Sequence, residues 1–437
     1  MRAMIGSRPN NCAWGERVCL MVCSEEGSCS LQRCETLLQV QRSLLLWKRG
    51  RLDASMKQAV EATESVCTRH RSAYTPLAHL WHAWLLGTVR HLPQARRALA
   101  GAAPRDGAFY SAELTAMVQV TRATVSFAEG SLDAAVSEVH EALRIGVPHT
   151  ARGVHSLGHV LLVQSALRQG DPKAALHSTK ELANDALLGT SLLVQAQSAW
   201  AAAQTAEAYG GAASAEHLIS GLVNDRTLLR RLLAAQPSAA SWLVRGADKL
   251  GASSVMKRTV STANALAESY PQYQVLRASG LHAAGWSEKD PGKLRRAAGL
   301  YPEVWLQASA REDLGTLLAR HRAESEQAVG HLKGALDGYT ATGAPRDAHR
   351  VMKKLRYLGV RYSHARLVVS DRIVGHGLTE EEFAVAELVS QGFTNSEVGR
   401  KLFISQHTVA FHLRKVFQKM EVGSRVELAV AWNTSGA

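Results

Sequence analysis

A turn followed by an Ala-rich helical segment recurs through the middle of this chain at nearly fixed spacing. That recurrence limits the possible folds more than any other feature. It reads Gly50-Arg51-Leu52-Asp53-Ala54, then Arg90-His91-Leu92-Pro93-Gln94-Ala95, Gly130-Ser131-Leu132-Asp133-Ala134-Ala135 and Gly170-Asp171-Pro172-Lys173-Ala174-Ala175. Weaker copies follow at Gly210-Gly211-Ala212-Ala213, Gly251-Ala252-Ser253 and Asp290-Pro291-Gly292-Lys293. The first five copies start 40 residues apart, and a degenerate last copy, Arg322-Ala323-Glu324-Ser325, breaks the period.

Each piece of the unit has a physical role. Glycine at the end of a helical pattern supplies the left-handed conformation that stops the helix. Asp133 and Pro172 sit where a new helix starts, as a cap and as a first-turn proline. Small Ala residues one turn later let two helices approach closely, with Trp47, Phe127 and Leu167 before the turn packing across that approach. Between the turns the apolar spacing is helical: Leu31–Lys48, Tyr110–Glu129, Leu132–Leu143, Val154–Arg168 and Ala174–Ala183. Two antiparallel helices per unit make a hairpin, and stacked hairpins make an α-solenoid. The β-branched runs are too short for a parallel sheet, so the expected fold is all-α.

Composition agrees. Of 437 residues 46% are hydrophobic but only 6% aromatic. Much of the apolar content is Ala and Leu, which favours helix. No run of about 18 apolar residues occurs, so no membrane-spanning helix is expected. The short apolar patch Val18–Cys23 lacks the form of a secretory signal. Lys and Arg total 51 against 38 Asp and Glu, a net +13 that suits a polyanionic partner.

Five of the six cysteines, Cys12, Cys19, Cys23, Cys29 and Cys34, crowd the first 34 residues, with Cys67 beyond. This is not the distribution of a secreted disulfide scaffold, nor a paired zinc pattern. Reduced thiols in an N-terminal extension are the expectation, and no metal is expected. Trp81, Trp84, His79 and His82 share one segment at helical spacing and are assigned to the core. The repeat resembles the degenerate tetratricopeptide-like repeats of large bacterial regulators. Such solenoids present a concave face to a peptide or protein.

The last sixty residues read as four short helices with separate start signals. Thr379 with Glu382, Thr394 with Glu397 and Ser424 with Glu427 have capping-box spacing, and Ser405 caps a third helix. Gly392 ends the first helix. Apolar residues recur at helical spacing through Phe383, Leu388, Val389, Val398, Leu402, Val409, Leu413, Val416, Met420, Leu428 and Val430. Thr394–Leu402 and Ser405–Met420, joined by Phe403-Ile404, have the size and turn length of a helix-turn-helix.

These residues closely resemble the LuxR-type (GerE-like) DNA-binding domain. The matching words are Leu378-Thr379, Gly392-Phe393-Thr394-Asn395-Ser396-Glu397-Val398, Lys401-Leu402-Phe403-Ile404-Ser405, Thr408-Val409, His412-Leu413, Lys419-Met420 and Val422 with Ser424-Arg425. The resemblance implies that the third helix enters the major groove of double-stranded DNA. Positions matching the base-reading face are Ala410, Phe411 and Arg414, with His407 beside them. Arg414 is the natural guanine reader, while Ala410 and Phe411 offer apolar contact. Ala410 departs from the Lys or Glu common in the family, and Glu381 and Ala384 depart in the first helix. Thr394, Asn395, Ser405, Thr408, Lys415 and Lys419 are the expected phosphate contacts. Val398, Leu402, Ile404, Val409, Leu413 and Val416 are the expected helix-turn-helix core.

Charge qualifies the picture. Residues 377–437 hold six Lys/Arg and seven Asp/Glu, so the domain is about neutral, whereas Arg346–Arg372 holds eight Lys/Arg against two Asp. That strip reads equally as a solvated face or as a contributor to sequence-independent DNA binding. The segments Leu317–Ala328, Gly343–Ala348 and Leu355–Val360 resemble the final repeat of large ATP-binding LuxR regulators of the maltose-activator type. The P-loop pattern of those proteins is absent: Ser287 and Leu294 stand where the first Gly and the Ser or Thr should flank Gly292-Lys293. No NTPase module, cofactor or catalytic activity is expected.

The expected organisation is an extension over 1–30, a solenoid over 31–360, a linker over 361–376 and the DNA-binding domain over 377–437. The function expected is sequence-specific transcription regulation in a bacterial cytoplasm, without membrane contact. RNA polymerase or a regulatory protein is the expected partner, with a homodimer on DNA. The alternative is a helical-repeat adaptor with weak or vestigial DNA binding.

Overall fold

The computed structural model describes residues 35–64, 75–102, 111–145, 152–187, 194–321, 324–360, 378–402 and 404–434. All six cysteines, the linker and Phe403 lie outside them. Among the described residues the regular structure is α-helical, in 21 helices. The chain divides into two compact units, residues 1–346 and 347–437.

The first unit is an array of antiparallel hairpins. Its first four are α1 (Glu35–Lys48) with α2 (Leu52–Glu64), α3 (Thr75–Thr88) with α4 (Leu92–Gly101), α5 (Ala112–Glu129) with α6 (Leu132–Ile145), and α7 (Arg152–Gln169) with α8 (Pro172–Leu187). Then come α9 (Gln195–Asn224), α10 (Arg226–Ala235), α11 (Ser238–Leu250), α12 (Ser253–Ser269), α13 (Gln274–Ser287), α14 (Pro291–Leu300), α15 (Val304–Leu318) and α16 (Ser325–Ala341). The first helix of a pair is buried almost all round, as in α3 and α5, whereas its partner buries a single stripe. An inner layer of apolar helices backed by amphipathic ones follows from that difference.

The forty-residue period has a structural cause at one point. Ser55, Ala95, Ala135 and Ala175 are each completely buried one turn into the second helix. Where Ala is replaced by Ser55, its hydroxyl donates to the Ser43 carbonyl (2.9 Å) and Ser43 returns a bond to the Ser55 carbonyl (2.6 Å). Polarity there is tolerated because it is fully satisfied. Before the turn, Trp47, Phe127 and Leu167 are buried as expected. Trp84 lies between Trp47 and Trp81, both 5.1 Å away, and Trp81 donates to the Ser43 hydroxyl, which places this pair in the core.

Turn chemistry differs from expectation in two places. Gly50, Gly130, Gly170 and Gly251 adopt left-handed φ, but the equivalent position in the second repeat is Arg90, at φ 61°. Asp133 is not a cap, because α6 begins one residue earlier, at Leu132. Asp133 instead places its charge in the first turn, where it complements the helix dipole. Pro172 is the first residue of α8, and Asp171 accepts from the Ala174 amide at 3.0 Å. The Gly210-Gly211 signal produces a kink within α9, at Gly211 (φ 75°, ψ −174°).

The array also folds back on itself. The turn after α1 meets the turn after α12: the Tyr270 hydroxyl accepts from the Leu52 amide (3.0 Å) and donates to the Gly50 carbonyl (2.7 Å). The turn after α3 meets the turn after α14, where the Arg90 guanidinium pairs with Glu303 at 2.6 Å, both side chains 5% exposed or less. The Arg168 guanidinium, ending α7, stacks on Phe127 at 4.1 Å and on Trp305 at 3.9 Å. Behind this seam, His282 Nε2 and Arg245 both reach the buried Asp313 carboxylate at 2.8 Å.

The second unit holds α17 from Asp347 onward and four further helices. Helix α17 (Pro345–Tyr357) buries Ala348, Val351, Met352 and Leu355. The four that follow are α18 (Glu380–Ser390), α19 (Asn395–Leu402), α20 (Gln406–Lys419) and α21 (Arg425–Thr434). They share one core built around Phe383, Val385, Val398, Val409, Val416 and Leu428.

A buried charge without its partner is more costly than no pair at all. Arg90→Met alone is therefore expected to destabilise the array by about 3–5 kcal/mol. The double change Arg90→Met with Glu303→Met is expected to recover most of that loss in chemical denaturation.

Candidate nucleic-acid interface

The turn between α19 and α20 is set by backbone contact. The Ile404 amide donates to the Gly399 carbonyl at 2.9 Å. A Cβ on Gly399 would stand 2.7 Å from the Ile404 carbonyl oxygen, so glycine is required for the approach itself. Ser405 then caps α20, accepting from the Thr408 amide at 3.0 Å while the two hydroxyls lie 2.8 Å apart.

Helix α20 divides cleanly. Val409, Leu413 and Val416 are buried, whereas His407, Phe411, Arg414, Lys415 and Gln418 are exposed on the opposite side. Phe411 is 53% exposed, an uncommon position for a large aromatic. Lys415 lies 4.6 Å from the Phe411 ring centroid, which draws cation and aromatic together on one patch. Ala410 is half-buried at the edge of that face. The helix carries no acidic residue.

The residues expected at phosphates fall into two sets. Lys415, Ser405 and Thr408 lie on or at the start of α20, and Lys415 and Ser405 are exposed. The other three are engaged within the domain. The Thr394 hydroxyl donates to Glu397 at 2.7 Å, and the Asn395 carbonyl oxygen accepts from Arg425 at 2.8 Å. Lys419 pairs with Glu382 at 2.6 Å. Of the expected core, Val398, Leu402, Val409, Leu413 and Val416 are buried and Ile404 is half-buried against them.

Three internal ties hold these helices in register. Glu382 accepts from the Thr379 amide (2.9 Å), completing a capping box, while its pair with Lys419 fastens the start of α18 to the end of α20. Burial pushes the Glu382 carboxyl up, but the bonds from Lys419 and Thr379 and the charge of Lys415 outweigh it and leave it below the ordinary range. Arg425 donates to Asn395 and to the Phe393 carbonyl, joining the starts of α19 and α21. The box at α21 is a variant: Glu427 reaches back to the Gly423 amide (2.8 Å) rather than to that of Ser424. Sequence reading missed Lys401, which lies 4.4 Å from the Phe393 ring centroid, and Gln418, one turn beyond Arg414. Helical spacing from Phe411 was the available signal for Gln418.

Comparison with known proteins agrees with this geometry. Residues 376–432 match the bacterial regulatory proteins of the luxR family, GerE type. The chain is 30% identical over 83 residues to the transcriptional regulatory protein LiaR of Bacillus subtilis, covering 19% of this chain and 35% of LiaR. It is 38% identical over 55 residues to the transcriptional regulatory protein DegU of Brevibacillus brevis, covering 13% and 23%. The matches therefore span about a third or less of these relatives' length. Among solved structures, a Rap protein complexed with competence and sporulation factor aligns over 74% of this chain and 98% of its own, at 11% identity and TM-score 0.43. The C-terminal domain is thus a LuxR-family helix-turn-helix domain.

Two outcomes follow from the geometry. Gly399→Ala is expected to separate α19 from α20, because the obstacle is a carbonyl oxygen, and to abolish hydrogen-exchange protection in the turn. Glu382 has a lowered carboxyl value, so its contribution is present above about pH 4.3, the unfolded reference, and is lost as pH falls through the folded value. Glu382→Gln should therefore weaken α20 amide protection at neutral pH, with the difference from wild type vanishing in acid.

Proposed function

We propose that this chain is a sequence-specific DNA-binding transcription regulator whose α20 reads the major groove under control of the helical array. The observation that carries this reading is the acid-free outer face of α20, with Arg414 and Lys415 exposed and Val409, Leu413 and Val416 locked beneath. An exposed guanidinium on a groove-sized helix supplies the bidentate donor pair that fits guanine O6 and N7. Phe411 and Ala410 supply apolar surface for a thymine methyl, and His407 stands one turn earlier. Lys415, Ser405 and Thr408 fix register on phosphates.

The domain is assigned to 377–437, with a linker over 361–376 and the array over 31–360. Pairing of two copies on DNA is supported by Val426 and Val430, which are 73% and 59% exposed one turn apart on α21. The array is the part that meets RNA polymerase or a regulatory protein, and the setting is a bacterial cytoplasm. Among the described residues no helix is long and apolar enough to cross a membrane. Helix α17 carries Arg346, Arg350, Lys353, Lys354 and Arg356, a strip that reads equally as a solvated face or as a source of sequence-independent affinity.

The test is a genome-fragment selection followed by fluorescence anisotropy on the full chain. Arg414→Ala is expected to cost about 1–3 kcal/mol on the selected site and to relax its sequence preference. Lys415→Ala is expected to weaken all sequences alike and to reduce the salt slope by about one. Equal, weak binding by wild type and Arg414→Ala at every salt concentration would instead establish the adaptor reading.

A further inference from the structure

Arg425 opens α21, and a helix N-terminus disfavours a cation. Among the described residues no carboxylate pairs with it. Its guanidinium is held by neutral acceptors alone, the Asn395 carbonyl oxygen at 2.8 Å and the Phe393 backbone carbonyl. The fold thus supplies acceptors for two hydrogen bonds but no counter-charge for a half-buried cation.

The bond to Asn395 settles which way its carboxamide faces. A guanidinium only donates, so the atom turned toward Arg425 is the carbonyl oxygen. The amide nitrogen Nδ2, with two N–H groups, is therefore turned away, and among the described residues it has no hydrogen-bond partner. Asn395 is the first residue of α19 and half-buried. A carboxamide offers both polarities, but here the acceptor end is occupied and the donor end remains. Donors are what a phosphate oxygen takes. A charged donor on the carbonyl oxygen also polarises the group and strengthens its N–H bonds as donors.

We propose that Arg425 is a positioning residue for DNA backbone recognition. It holds Asn395 with the Nδ2 donors outward, toward one phosphate of the duplex, and that phosphate supplies the counter-charge Arg425 lacks in the fold. The tie between Asn395 and Arg425 is then the means of the phosphate contact. This inference rests on the DNA-binding reading and adds to it a phosphate set by α19 and α21, apart from those assigned to α20.

The test uses the full chain and a selected duplex in which single phosphates are replaced by uncharged methylphosphonates, with binding read by fluorescence anisotropy. At one phosphate the replacement is expected to weaken wild type about tenfold, the size of a charge-assisted hydrogen bond. Asn395→Ala should abolish the sensitivity at that phosphate, and Arg425→Met should abolish it equally although Asn395 is still present. The two changes together should cost no more than either alone. Asn395→Asp separates positioning from a purely structural tie. It gives Arg425 a carboxylate and so keeps its stability in chemical denaturation, yet it has no donor, and it should weaken binding to every sequence about tenfold. Circular dichroism checks the fold of each variant, and where Arg425→Met does not fold, Asn395→Asp decides alone. Unchanged phosphate sensitivity in Arg425→Met, additive losses, or wild-type affinity in Asn395→Asp overturns the inference while leaving the Arg414 dependence of binding intact. A wild type that prefers no duplex, and that Arg414→Ala does not alter, overturns the DNA-binding reading and this inference with it.

Discussion

Complete burial of a small residue at Ser55, Ala95, Ala135 and Ala175, one turn into each second helix, is the constraint on which the array depends. A larger side chain at any of these sites would push two helices apart and displace every hairpin beyond it. Small residues there fix the angle between partners, and the left-handed turn just before fixes the reversal. Repetition of both at forty-residue intervals is enough to stack four hairpins without a specified long-range contact. The second half departs from strict repetition, with a kink at Gly211 and shorter helices such as α10 and α14. There, long-range contacts take over.

The seam shows how they do so. In an open solenoid each repeat touches only its neighbours, and stability is a sum of nearest-neighbour terms. Here Tyr270, Glu303 and Trp305 receive the ends of repeats more than a hundred residues earlier. Arg90 holds a left-handed backbone that glycine would adopt more readily, and its guanidinium is the buried partner of Glu303. The strain and the ion pair belong together: glycine would relieve the first and forfeit the second. These contacts tie distant hairpins together, so the stability of the array is no longer a sum of nearest-neighbour terms alone.

Local features were legible in the sequence, and non-local ones were not. Capping residues Thr379, Thr394 and Ser405, the turn glycines and the apolar stripes act over three or four residues, and the structure contains each of them. Asp133 looked like a cap because the Ser131-Leu132-Asp133 order does not distinguish a cap from a first turn. The Arg90–Glu303 pair spans 213 residues and leaves no periodic trace. Gly399 carries no positive φ and no turn dipeptide, so only the nearness of the Ile404 carbonyl reveals its purpose. Lys419 read as a free cation on a recognition helix because its partner, Glu382, lies 37 residues away in sequence.

That pairing also resolves the near-neutral charge of the DNA-binding domain. Net charge is a poor guide when charges are spent internally. Glu382 is consumed by Lys419 and by the start of α18, Glu397 by the start of α19, and Glu427 by the start of α21. Each of these acids sits at a helix N-terminus, where exposed amides and the dipole compensate it. Three of the domain's seven acids are therefore turned toward helix ends. Arg414 and Lys415 remain on the outer face of α20 with no acid on the same helix. A duplex approaching that face meets a local positive field that the residue count conceals. Since screening limits exposed charges to about 10 Å at 0.1 M salt, the local field and not the total decides the encounter.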